Sequence, residues 1–100
     1  MTYRYVYDPV AFSEYTEAVS WCQERSQRVA ENFVADLGDK IQEICTDPLR
    51  YRCTYKEYRE TSLRRFPFTV VFMVDQTARK IIITAVFHHK RNPRKKYRRK

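Results

Sequence analysis

Phe68-Thr69-Val70-Val71-Phe72-Met73-Val74 and Lys80-Ile81-Ile82-Ile83-Thr84-Ala85-Val86-Phe87-His88 flank a polar stretch, Asp75-Gln76-Thr77-Ala78-Arg79. Two runs rich in β-branched and aromatic residues around a polar turn predict an antiparallel hairpin. Odd and even positions are both apolar, so both faces of these strands should be at least partly covered. Simple alternation puts His88 on one face with Ile82, Thr84 and Val86. The elements upstream must supply the cover.

Working back from the hairpin, Pro67 interrupts the chain, and residues 57–65 read as a further strand with Leu63 facing inward. Residues 48–55 read as a loop. Before it, Ala30, Phe33, Val34, Leu37, Ile41 and Ile44 recur at helical spacing. Ser26 can cap that helix, and Asp47-Pro48 ends it. Gly38 lies inside it, which costs about 1 kcal/mol relative to alanine and suggests close helix packing. Further back, Asp8 is a natural N-cap with Pro9 at the first helical position. Ala11, Tyr15, Ala18, Val19 and Cys22 then make 9–24 an amphipathic helix. The short link between the helices predicts an antiparallel helical hairpin. Residues 3–7, Tyr-Arg-Tyr-Val-Tyr, read as a first strand. The order is β-α-α-β-β-β, an α+β fold of two layers. The helical hairpin packs on one face of a mainly antiparallel sheet. It can cover only one face, so the other calls for a partner, a tail or a ligand.

The 100 residues suit one domain. The net charge of +8 is confined to one end. Residues 1–89 hold 12 basic and 12 acidic side chains, so this domain is neutral. The tail, 90–100, holds Lys90, Arg91, Arg94, Lys95, Lys96, Arg98, Arg99 and Lys100 with no acid. Such a tail attracts a polyanion or an acidic partner, or simply aids solubility. Cys22, Cys45 and Cys53 match no zinc spacing, and no other metal set stands out. Cys22 and Cys45 fall on apolar helix faces and read as reduced core residues, consistent with a cytoplasmic location. The N-terminus does not have the pattern of a secretory leader, and no apolar run is long enough to span a membrane.

Several short motifs resemble the RelE/ParE superfamily of toxins from type II toxin–antitoxin systems. They are Asp8-Pro9-x-Ala11 with Trp21 near the end of the same helix, Ala30-x-x-Phe33, Pro48 with Tyr51, and Tyr58-Arg59-Glu60. Further along come Leu63-x-Arg65-Phe66-Pro67-Phe68, Ala85-Val86-Phe87-His88 and Arg91-x-Pro93. Each is weak alone, but in order they cover nearly the whole chain. The resemblance implies a bacterial toxin that inhibits growth unless a cognate antitoxin silences it, often in plasmid stabilization. It implies no cofactor. Members similar to ParE poison DNA gyrase without cutting nucleic acid. Members similar to RelE cleave mRNA on the ribosome.

A RelE-like nuclease carries Lys-x-Lys on the first strand after the helices and Gly-Tyr-Arg opening the next. Here the corresponding stretches are Glu60-x-Ser62 and Pro67-Phe68-Thr69. The lysines are missing and threonine stands at the arginine position. Cations aimed at a phosphate are usually the largest catalytic contribution, so this departure favours the ParE-like reading. The nuclease alternative would draw on His88 as general acid or base, Arg64 and Arg91 on phosphate, and Tyr97. Target binding would draw on Arg59, Arg65, His89, Lys90, Arg94, Lys95, Lys96, Arg98 and Arg99. Each has an ordinary alternative. A histidine at a strand end packs, Arg59 can brace the sheet, and the tail can be a solvated charge run.

Overall fold

The computed structural model describes residues 3–90 of the chain. Among them, β1 (Arg4–Tyr7) leads through Asp8 into α1 (Pro9–Arg25), followed at once by α2 (Gln27–Thr46). A 3-10 turn (Pro48–Arg50) precedes β2 (Cys53–Tyr55), β3 (Tyr58–Ser62), β4 (Phe68–Asp75) and β5 (Lys80–His88). The five strands form one sheet in the order β1-β5-β4-β3-β2. β1 is parallel to β5, and every other pairing is antiparallel.

The helix starts follow from capping. Asp8 Oδ1 accepts the Ala11 N–H at 2.8 Å, with Pro9 at a position that needs no donor. Ser26 serves both helices: its backbone N–H donates to Cys22 O, ending α1, while its hydroxyl accepts from Val29 N–H, starting α2. Both helices lay their apolar stripes on the same face of the sheet. Ala11, Ala18, Cys22, Ala30, Phe33, Leu37, Ile41 and Ile44 meet Val70, Phe72, Ile81, Ile83 and Val86 there. On the opposite face a smaller cluster joins Tyr58, Val71 and Ala85, with Met73 against it. Both faces of β4 and β5 are therefore buried, as their double apolar pattern requires.

Four details depart from the sequence reading. The 48–55 stretch contains β2, a short exposed edge strand whose Cys53 and Tyr55 pair with Arg59 and Tyr58. The strand predicted over 57–65 is shorter, ending at Ser62, and Leu63 is buried just beyond it. Gly38 marks no close approach: a Cβ there would meet nothing within 4 Å, because the residue lies on the solvent side of α2. Lastly, β5 carries a bulge. Val71 pairs with Ala85 and Phe72 with Ile83, so Thr84 has no counterpart on β4, and its hydroxyl donates to Val71 O at 3.2 Å. The extra residue shifts the alternation by one. Val86 and His88 consequently share the helix-covered face with Ile81 and Ile83, rather than with Ile82 and Thr84.

Candidate functional site

The side chains with chemical potential gather where β3 and β5 end and β4 begins, and the sheet sorts them onto two faces. On the face away from the helices, Ser62 and Thr69 are cross-strand partners with their hydroxyl oxygens 3.2 Å apart. The Thr69 hydroxyl lies 3.0 Å from His89 Nε2. His89 is held there by its backbone N–H, which donates to Pro67 O. Glu60 shares this face, and its carboxylate accepts from the Thr54 hydroxyl at 2.9 Å. The positions that correspond to the cations expected of a RelE-like nuclease, 60, 62 and 69, thus hold a carboxylate and two hydroxyls, with the His89 imidazole beside them.

On the helix-covered face, His88 sits over its cross-strand partner Phe68 with ring centroids 4.9 Å apart, and 5.9 Å from Trp21 of α1. Its Nδ1 accepts the Lys90 N–H. Beside it lies a cavity of about 330 Å³, with an apolar floor of Ala18, Phe68 and Val86. Glu14 and Glu17 stand on its α1 side and Lys90 at its edge. Glu14 is buried, and its Oε1 accepts the Val86 N–H at 2.9 Å. Its role follows from the sheet: β1 pairs only with Lys80–Ile83, so among the described residues the end of β5 has no strand neighbour on that side. A carboxylate from α1 meets the peptide donor there.

The expected arginines are dispersed. Arg59 turns to the helix side and donates to Tyr51 O. Arg64 pairs with Glu43 of α2 at 2.8 Å. Glu43 also holds Lys40, and the hydrogen bonds from Arg64 and Lys40 keep its carboxyl below the usual range. Arg65 is exposed, and its backbone N–H donates to Asp36 at 3.1 Å. His88 and His89 occupy opposite faces, and neither lies with Arg59 or Arg64. Lys90 is exposed. Arg91, Arg94, Lys95, Lys96, Tyr97, Arg98 and Arg99 lie outside the described residues. Among the described residues no group of three His, Cys, Asp or Glu could hold a metal ion, and no helix is long and apolar enough to cross a membrane.

Sequence reasoning missed Glu14, Glu17 and Trp21 as a cavity wall. A signal was present: Glu14 interrupts the apolar stripe of α1 between Ala11 and Ala18, and 14, 17 and 21 share one helix face. A carboxylate inside an apolar stripe calls for a buried donor.

Residues 5–93 match the family model described as the ParE toxin of the type II toxin–antitoxin system parDE. The chain belongs to the ParE toxin family. Solved structures share its fold. A chain of the chromosomal ParDE system of Pseudomonas aeruginosa superimposes with a TM-score of 0.71 at 14% identity, covering 86% of this chain and 95% of that one. The isolated RelE toxin of Escherichia coli gives 0.62 at 17%, covering 93% and 90%. A chain of the RelBE toxin–antitoxin complex of Mycobacterium tuberculosis gives 0.59 at 14%, covering 88% and 99%. Among curated proteins nothing matches this sequence. The family match places this chain as a toxin component of a type II toxin–antitoxin system, and its sheet order and helical hairpin are those of the shared fold.

Proposed function

We propose that this ParE-family toxin acts in the cytoplasm by binding its target without cutting nucleic acid, that the target is DNA gyrase, and that a cognate antitoxin silences it. The observation that carries the reading is the composition of the sheet face away from the helices, where Glu60, Ser62 and Thr69 stand at the positions that cations would need. A ribonuclease of this fold must neutralise a phosphate that gains charge in the transition state. Loss of one preorganised donor typically costs about a hundredfold or more in rate. Arg59 and Arg64 do not substitute, because one is bound to Tyr51 O and the other to Glu43. The antitoxin reading draws on the family and on exposed apolar surface along β1 and the start of α1, where Tyr5, Val6, Val10 and Phe12 lie.

A second reading, ribosome-dependent cleavage of mRNA, draws on the His89–Thr69–Ser62 chain, since an imidazole beside hydroxyls can move a proton. One induction experiment separates the two. Gyrase poisoning should give inhibited supercoiling and double-strand breaks with intact transcripts. New 5′ ends within ribosome-bound messages, lost in His89→Ala, would overturn the proposal and promote the nuclease.

A further inference from the structure

The hydroxyls of Ser62 and Thr69 and the imidazole of His89 form one continuous hydrogen-bonded chain on the sheet face away from the helices. We propose that this chain makes Ser62 a nucleophile, and that Ser62 is a covalent modification site which takes an acyl group from a thioester or an activated aryl ester.

Three strands fix the geometry. Ser62 is the last residue of β3 and pairs with Thr69, the second residue of β4. Their oxygens lie 3.2 Å apart, and Thr69 Oγ1 lies 3.0 Å from Nε2 of His89, just past the end of β5. The His89 N–H donates to Pro67 O, which fixes the backbone that carries the ring. Ser62 and His89, at the two ends, are exposed, while Thr69 between them is buried.

A serine hydroxyl is a weak nucleophile unless a base takes its proton. Here the base stands one hydroxyl away. As Ser62 Oγ attacks the acyl carbonyl, its proton passes to Thr69 Oγ1. The Thr69 proton passes to Nε2 of the neutral ring, in the tautomer protonated at Nδ1. The carbon–sulfur or carbon–oxygen bond of the donor breaks, and the thiolate or aryloxide leaves with the proton that His89 returns. The products are an ester on Ser62 and a free thiol or phenol. Neighbouring charge selects the donor. Glu60 precedes Ser62 by two residues and shares its strand face. Its carboxylate repels an anionic phosphoryl donor and leaves a neutral carbonyl unopposed. The proposal does not depend on the toxin's target, so it stands or falls separately from the gyrase reading.

The test treats the full-length chain with p-nitrophenyl acetate and locates the acetyl group by tandem mass spectrometry. Ser13 and Ser20, exposed helix serines, are the internal reference. Ser62 should acetylate about tenfold faster than they do, short of what an enclosed general base supplies because this site is open to water. Thr69→Val keeps a β-branched strand residue and removes only the relay hydroxyl, so it should bring Ser62 down to the reference rate. Thr69→Ser, which keeps a hydroxyl, should retain most of the difference. His89→Ala should act like Thr69→Val, and added imidazole should restore Ser62 relative to the reference serines, which no loss of structure would allow. Circular dichroism checks that each variant is folded. A parent Ser62 that reacts at the reference rate overturns the proposal, as does a fast Ser62 that ignores both Thr69→Val and His89→Ala. Acetyl found on His89 with or without the Thr69 hydroxyl would make the imidazole the nucleophile and overturn it too.

Discussion

Replacing Glu14 with alanine removes the acceptor that α1 offers to the end of β5. The Glu14–Val86 bond links residues 72 positions apart and is buried. Hydrogen bonds to charged groups contribute about 1.5–3 kcal/mol. The substitution leaves the Val86 N–H with no carboxylate, at a point where β1 has already ended. The adjoining cavity is open enough to admit water, which would satisfy part of that donor and keep the loss within this range. We expect Glu14→Ala to lose about 1.5–3 kcal/mol, with a fall in Tm on the order of 10 °C for a domain of this size. Glu14→Gln keeps an oxygen acceptor and should lose about 1 kcal/mol. Glu17→Ala, at an exposed site, should stay within about 0.5 kcal/mol. Urea unfolding followed by far-ultraviolet circular dichroism measures all three, with the midpoint moving and the slope unchanged. If Glu14→Ala behaves like Glu17→Ala, the carboxylate does not hold β5, and the argument from the end of β1 fails.

Other expectations follow from the same contacts. Gly38→Ala should stabilise α2 by about 0.5–1 kcal/mol in the same unfolding assay, since the added methyl meets no atom and the helix gains propensity. Thiol titration should find Cys53 reacting at once, while Cys22 and Cys45 react only as the chain unfolds, because burial both shields these thiols and raises their pKa. Arg64→Gln should lower stability near neutral pH and flatten its dependence on acid. Glu43 has its folded-state pKa depressed, so its contribution is present above the ordinary carboxylate pKa and is lost as pH falls through the folded value. Removing Arg64 shrinks that shift, and stability measured against pH should fall less steeply on the acid side.

The parts of the fold legible in the sequence were those written in local chemistry. Asp8-Pro9 and Ser26 mark helix starts because their side chains meet backbone donors a few residues away. The apolar runs of 68–88 mark two central strands because both of their faces are buried. β2 was not legible, since its three residues are exposed and owe their conformation to pairing with β3. The bulge at Thr84 was equally silent. Threonine is an ordinary strand residue, and only the register with β4 shows that it has no counterpart. That single residue decides the face of His88, so an argument from alternation assigned it the wrong neighbours. Gly38 misled in the opposite direction, because a glycine on a solvent-facing helix surface carries no packing information.

The same bulge bears on how a toxin of this fold could work. It sends His88 under α1 beside Trp21 and leaves His89 on the opposite face beside Thr69. The two histidines therefore cannot act as an acid–base pair on one substrate, and a nuclease built here would rely on His89 alone. His89 would face Glu60, Ser62 and Thr69, a set that offers hydroxyls but adds negative charge where a phosphate would sit. Arg59 and Arg64 are held elsewhere, by Tyr51 O and Glu43. Target binding requires none of this. It needs exposed surface, which Tyr5, Val6, Val10 and Phe12 supply. On that reasoning the departures at 60, 62 and 69 belong to one design, in which positive charge is kept off that face of the sheet.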